Sequence, residues 1–351
     1  MDRQRISVGI LGATGAVGQR FIQLLEGHPW FQVAEVAASD RSAGKPYVDA
    51  CTWRLPGAPP AAVAGLQVLT TEGPFEARLL FSGLDSSVAG EVESSLAAKG
   101  HAVVSNSRNH RMDSDVPLLI PEINADHLEA IAAQRKRNGG GYIVTNPNCT
   151  VVGLAMALAP LHRTFGLESV HVATLQALSG AGYPGVPSLD VADNVVPFIG
   201  GGEEEKIETE PRKILGRFAD DAFADADFRV SASVHRVAVS DGHTMAAFVH
   251  LRRPAVVEHA IRVLAEFRGE PQERRLPTAP ERPIHVLTAA DRPQPRLDRD
   301  REKGMAVSVG RVRSDGNGGL KLEALVHNTI RGAAGAAILN GELLKARGLL
   351  S

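Results

Sequence analysis

Cysteine is scarce in this chain: Cys51 and Cys149 are the only two in 351 residues. Two thiols cannot build a disulfide framework, and neither lies in a Cys-x-x-Cys pair or a Cys/His cluster of zinc spacing. No metal centre is therefore expected. Long apolar runs are also missing, since nothing approaches the roughly eighteen residues of a membrane span. Two arginines precede an apolar stretch in "MDRQRISVGILGATG", but glycines interrupt that stretch and no A-x-A-like cleavage site follows directly, so no signal peptide is expected. A cytoplasmic protein without a membrane partner is the default. Charge of one sign is lacking as well: a formal net charge of −2 implies no polyanion and no nucleic acid.

What is present is ordinary globular composition, with 44 % hydrophobic and 22 % charged residues, in a chain long enough to expect two domains. Up to "GYIVTN" strand-like segments alternate with helix-like ones: "ISVGILG", "AVGQRFIQLLEGH", "FQVAEVAAS", "ARLLFSGL", "VAGEVESSLAAKG", "HAVVSNS". That alternation predicts a parallel sheet covered on both faces. Beyond Cys149 the candidates "SVHVATLQALSG", "FRVSASVHRVAVS" and "HTMAAFVHLRR" are longer, and "MAVSVGRVRSDGNGGLKLEALVHN" reads as two strands around a turn. A mostly antiparallel α+β sheet domain is expected there, with a helix from Val256 to Arg268 stopped by Gly269. The Ala-rich end "TIRGAAGAAILNGELLKARG" is expected to pack closely on another helix. The segment "DRPQPRLDRDREKG" is read as a surface loop, and "GGEEEKIETEPRKIL" as a solvated helical face.

Gly12, Gly15 and Gly18 lie between the first strand and the first helix in "GILGATGAVGQ", a G-x-x-G-x-x-G variant of the dinucleotide fingerprint. Its glycines permit a tight turn, and the helix start offers N–H groups to a pyrophosphate. The position about 20 residues on, where an NAD site keeps an acidic side chain, is Ser39. Arg41, Ser42 and Lys45 follow, and cations beside hydroxyls suit a 2′-phosphate, which favours NADP. Asp40 keeps NAD possible.

In "TNPNCTVVG" a strand over residues 141–145 turns through Asn146-Pro147-Asn148, and a helix is expected to start near Cys149. Helix N–H groups facing the thiol would lower its pKa and make it a nucleophile. A small buried hydrophobe is the other reading, and the stretch alone leaves both open. Cys51 shows no activating context. A thiolate attacking a carbonyl needs an acid or base, and among twelve histidines His243, after an Asp-Gly turn, has the best local case. Arg108, Arg111 and Arg236 are candidate anion holders, with solvated charges as the alternative.

Read together, "GILGATGAVGQRFIQLL", "ASDRSAGK", "RMDSDVPLLIPEIN", "TNPNCT", "LQALSGAGYPGV", "GGEEEKIETEPRKILG", "SDGHT", "DRPQPRLDR" and "HNTIRGAAGAA" resemble the aspartate-β-semialdehyde dehydrogenase family of archaea and fungi over nearly the whole chain. The resemblance implies NADPH-dependent reductive dephosphorylation of L-4-aspartyl phosphate to L-aspartate 4-semialdehyde, in biosynthesis of lysine, threonine, methionine and isoleucine. It implies that Cys149 forms an acyl thioester, that His243 is general acid/base, and that Gln176 lies beside the reacting centre. Arg236 would pair with the substrate α-carboxylate and Glu203 with its ammonium, while Arg111 and Lys206 would hold phosphate. Gly12, Thr14, Gly15, Ala16, Val17, Ser39, Arg41 and Ser42 would bind NADP(H), with Gly180, Gly182 and Asn328 near the nicotinamide.

The implied fold is a Rossmann domain (1–148), a catalytic and dimerisation domain (149–328) and a C-terminal helix (329–351) returning to the first. The implied assembly is a homodimer or homotetramer. Two positions depart from the family pattern: Thr150 follows the nucleophile where Ser is commoner, and His235 precedes Arg236 where Asn is commoner. Malonyl-CoA reductase and N-acetyl-glutamyl-phosphate reductase are the nearest rival enzymes, and a cofactor-binding regulator without chemistry is the rival of a different class. Glu203, Arg111 and Lys206 together favour the aspartyl substrate.

Overall fold

The computed structural model describes residues 5–350. Strands β1 (Ile6–Leu11), β2 (Phe31–Ala38), β3 (Val68–Thr70), β4 (Leu79–Ser82), β5 (Ala102–Ser105) and β6 (Tyr142–Thr145) form one sheet in the order β3-β2-β1-β4-β5-β6. Every pairing in it is parallel. β4, β5 and β6 bury all their residues, as strands covered on both faces must. The strand order reverses between β1 and β4, which opens a crevice at the carboxyl ends of the strands. Both Gly12 and Cys149 follow such ends. The first helix (Ala16–Leu25) buries Phe21, Ile22 and Leu25, and Phe21 stacks on Phe81 of β4 with centroids 5.3 Å apart.

The helix Cys149–Phe165 leaves β6 directly. Residues 150–161 are buried without interruption, so this helix is a core element that is exposed to solvent only in its last turn, at Arg163. It carries the chain to β7 (Leu167–Gln176), β8 (Val195–Pro197), the small hairpin β9 (Arg217–Ala219) and β10 (Ala222–Ala224), then β11 (Arg229–Val237), β12 (His243–Leu251), β13 (Ile284–Leu287), β14 (Val307–Ser314) and β15 (Leu320–Val326). All but the hairpin form a second sheet in the order β13-β14-β15-β12-β7-β11-β8. Four of its pairings are antiparallel, and β7/β11 and β13/β14 are parallel. β7 shows one-sided burial: Val170, Val172, Thr174 and Gln176 are covered, while His171, Ala173 and Leu175 on the other face are exposed. This is the alternation of a sheet packed on one side only.

Several sequence expectations change in detail. The helix expected over 256–268 is Val257–Glu266, because its Phe267 cap is already extended. The strand before the cysteine begins at Tyr142. The expected loop "DRPQPRLDRDREKG" is anchored: Asp298, 1 % exposed, takes Arg292, Arg301 and the Gln294 N–H, a short helical turn forms at Pro295–Asp298, and Glu302 and Lys303 turn the chain at positive φ. The final helix (Gly335–Ala346) places Ile338, Leu339 and Leu343 in one apolar cluster with Val8, Ile10 and Phe81 of the parallel sheet. The close helix contact expected of this small-residue stretch is made by Gly332 in the π-helical turn Ile330–Ala334. A Cβ on Gly332 would lie 2.8 Å from Cys149 Cβ.

Candidate active site

Asn148 caps the cysteine helix, and its Oδ1 accepts from the Thr150 N–H at 2.9 Å and the Val151 N–H at 3.4 Å. The donors expected to face the thiol are thus shared with the cap, because Asn is a strong N-cap, and only the Thr150 N–H still favours the thiolate. Cys149 Sγ lies 3.2 Å from His243 Nε2. The expected lowering of the thiol pKa is not what the ligand-free site produces: burial first and the Glu203 carboxylate second push it up to about 12, against Arg111, Arg236 and the Thr150 N–H. Desolvation penalises the thiolate more than the nearby cations favour it.

His243 opens β12 and is fully buried. Its Nδ1 accepts the Ala177 N–H at 3.0 Å. A peptide N–H can only donate, so the neutral ring carries its proton on Nε2, the atom facing sulfur. Burial, reinforced by Arg236 and His327, lowers the His243 pKa to about 3. Neutral His243 is therefore a hydrogen-bond donor to Cys149.

Gln176 ends β7, is 1 % exposed, and is paired in register with Arg236 of β11. Its Nε2 makes a long 3.4 Å bond to Thr174 Oγ1. Arg236 donates from Nη1 to the Ala177 carbonyl at 2.5 Å. Gly180 closes this corner, for a Cβ there would lie 2.9 Å from Arg236 Nη1 and 3.0 Å from the His243 ring. Gly182, at φ +69°, turns the chain away. Asn328 is buried and bridges two loops: Oδ1 accepts the Gly242 N–H at 2.8 Å and Nδ2 donates to Ser179 Oγ at 2.8 Å. It holds the turn that presents His243 against the turn that presents Gly180. Of the two departures from the family pattern, His235 places its Nδ1 3.2 Å from the Thr174 carbonyl, and Thr150 Oγ1 is buried without a partner.

The charge-rich helix Glu203–Ile214 is not the solvated face expected from its composition. Glu203, Ile207, Glu210, Lys213 and Ile214 are buried. Glu203 accepts from Asn148 Nδ2 at 2.8 Å and from Lys206 Nζ at 3.2 Å. Glu210, which the sequence reading did not single out, accepts from Arg111 Nη1 at 2.8 Å and from the Asn148 N–H at 2.6 Å. It thereby ties the guanidinium to the residue before the nucleophile. The spacing 203, 207, 210, 214 is one helical stripe that alternates Glu with Ile, and that stripe was the available signal. Arg111 also donates from Nη2 to the Asn106 carbonyl at 2.8 Å, while its buried Nε has no partner, a donor left for an anion. Arg108 is peripheral and donates to the Gly201 carbonyl.

In the crevice of the first sheet, Gly12 has φ +72° and a Cβ on Gly18 would lie 2.2 Å from the Gly12 carbonyl oxygen. Only glycine permits this approach of turn and helix, and Thr14, Gly15, Ala16 and Val17 follow at the helix start. Ser39, Arg41 and Ser42 lie on the turn beyond β2, where the Ser42 N–H bonds the Ser39 carbonyl. Lys45 places its ammonium 2.8 Å from the Arg41 carbonyl, so it stays beside Arg41 and the two hydroxyls. These residues fit a dinucleotide.

A dinucleotide crevice and a cysteine paired with a buried histidine lie on two sheets joined by the cysteine's own helix, which is the arrangement of a dehydrogenase. Models for the semialdehyde dehydrogenase NAD binding domain and dimerisation domain match residues 7–131 and 158–331. The chain is 50% identical to aspartate-semialdehyde dehydrogenase of Archaeoglobus fulgidus, covering 97% of this chain and 98% of that protein. It is 47% identical to the Schizosaccharomyces pombe enzyme, covering 98% and 99%. The crystal structure of the Candida albicans enzyme with NADP superposes with a TM-score of 0.91 at 42% identity, covering 99% of this chain and 100% of that one. The chain belongs to the aspartate-semialdehyde dehydrogenase family.

Proposed function

We propose that the protein reduces L-4-aspartyl phosphate to L-aspartate 4-semialdehyde with NADPH, through a thioester on Cys149. The observation that carries this reading is the 3.2 Å pairing of Cys149 Sγ with His243 Nε2, within electrostatic reach of Glu203, Arg111 and Arg236. Arg236 suits the substrate α-carboxylate and Glu203 its ammonium. Arg111, with its unpartnered Nε, and Lys206 suit the phosphate.

The chemistry balances without an imidazolium. Sulfur attacks the acyl carbon, the C–O bond to phosphate breaks, and the thiol proton leaves on the phosphate. Pairing of Glu203 with the substrate ammonium removes one of the two causes that hold the proton on sulfur. Gly12, Thr14, Gly15, Ala16, Val17, Ser39, Arg41 and Ser42 would hold NADPH, which would supply a hydride to the thioester carbon. His243 Nε2–H then donates a hydrogen bond to the tetrahedral oxyanion, and Gln176, which the resemblance sets beside the reacting centre, is read as the second donor. Such donors are worth about 3–4 kcal/mol each in acyl transfer. The oxyanion collapses to the aldehyde and expels the thiolate, which regains a proton from water. The general acid/base role implied by resemblance thus narrows to hydrogen-bond donation, because protonating Nδ1 would set it against the Ala177 N–H.

This reaction places the protein in biosynthesis of lysine, threonine, methionine and isoleucine. A cytoplasmic setting suits its two free thiols. The assembly we propose is a homodimer or a pair of dimers, built on the uncovered face of the second sheet. The test runs the reaction backwards, from L-aspartate semialdehyde and NADP, following NADPH absorbance with and without phosphate. Sustained turnover only with phosphate is expected. Equal turnover without it would rule out acyl phosphate as the product.

A further inference from the structure

Lys213 lies one helical turn beyond Glu210 and is 3 % exposed. Its Nζ donates to three backbone carbonyls of a single loop: Arg111 at 2.8 Å, Asp113 at 2.8 Å and Val116 at 2.9 Å. An ammonium has three N–H donors, and all three converge on the loop that carries Arg111. The Phe223 ring of β10 closes the fourth side, its centroid 4.4 Å from Nζ. Burial lowers the Lys213 pKa to about 8, against Asp113, Asp225, Asp115 and Glu210, so the group remains mostly cationic at neutral pH.

One helix therefore holds Arg111 at both ends. Glu210 fixes the guanidinium and Lys213 fixes the main chain, while the first turn of the same helix carries Glu203 and Lys206. We propose that Lys213 is a positioning residue that sets Arg111 at the phosphate end of the substrate. The proposal rests on the reading of Arg111 as a phosphate ligand. Without Lys213 the 111–116 loop keeps three carbonyls converging beside the Phe223 ring with no donor, and it must rearrange to solvate them. Arg111 moves with it, and phosphate recognition suffers before recognition of the α-carboxylate or the dinucleotide, whose residues lie on other strands and turns, and before that of the ammonium, whose Glu203 shares the helix but is held by Asn148 and Lys206 rather than by this loop. Arginine is no equivalent, because its planar fork does not converge three donors on one point.

The experiment measures KM for phosphate, L-aspartate semialdehyde and NADP in the oxidative direction for wild type, Lys213→Met and Lys213→Arg, with folding checked by circular dichroism. Wild type comes first: absence of any phosphate dependence would sink the parent reading and this one with it. Given that dependence, Lys213→Met is expected to raise the phosphate KM at least tenfold while the other two stay within twofold, and Lys213→Arg to fall between. An unchanged phosphate KM in folded Lys213→Met overturns the proposal, as does an equal rise in all three. If Lys213→Met does not fold, Lys213→Arg decides by the same split.

Discussion

Cys149 shows how a residue can be placed for reaction and yet be unreactive alone. With no ligand, burial and Glu203 hold its pKa near 12, so at pH 7 almost all of it is thiol. Only the thiolate reacts with alkylating reagents. Inactivation of the ligand-free protein by iodoacetamide is therefore expected to be slow at pH 7 and to rise about tenfold per pH unit through pH 9 without a plateau, whereas an ordinary thiol levels off above its pKa of about 8.5. His243 gives a second prediction. If it works as an Nε2–H donor with no change of charge, an amide N–H can partly replace it. His243→Ala is expected to lose roughly 10²–10³ in kcat, and His243→Asn is expected to retain clearly more activity than the alanine variant. Equal losses would mean that the ring must titrate.

At the scale of elements, the reading of "TNPNCTVVG" rested on local rules: a proline turn, an asparagine cap and an apolar run. These rules are local in physics as well, so the helix start was legible. The charge-rich helix was misread because composition says nothing about which residues share a face. Glu203 and Glu210 are buried together by Ile207 and Ile214, and their partners Asn148 and Arg111 come from segments 55 to 99 residues away in the chain. Long-range pairing of that kind leaves no local trace. The π-helical turn Ile330–Ala334 is a similar case. Its Arg331 is 1 % exposed and donates to Glu122 Oε2 at 2.7 Å, joining the segment after β15 to the turn Pro121–Asn124. Removing one member of a fully buried ion pair strands the other, at a cost of about 3–5 kcal/mol. Arg331→Ala is expected to lower the urea midpoint accordingly, and a shift under about 0.5 kcal/mol, typical of surface changes, would show the pair to be dispensable.

At the scale of the whole molecule, the division into a parallel sheet and a mostly antiparallel one was readable from the change in alternation near Cys149. Which face of the second sheet stays open was not, because that depends on where the cysteine helix packs. Leu175 is 44 % and Phe248 46 % exposed on that face, on adjacent strands β7 and β12. Apolar side chains grouped on an uncovered sheet mark an interface, and this region lies within the span matched by the dimerisation model. Phe248→Asp is expected to shift the protein from dimer to monomer by light scattering, and an unchanged mass would move the interface elsewhere. Among the described residues no helix is long and apolar enough to cross a membrane.

The central claim is that catalysis passes through a covalent acyl group on Cys149. Rapid mixing of the protein with L-aspartate semialdehyde and NADP, with phosphate left out, tests it most directly. A burst of one NADPH per active site is expected, then a stall, with the acyl adduct found on Cys149 by intact mass and absent from Cys149→Ala. Full turnover with phosphate but no burst and no adduct without it would contradict the thioester.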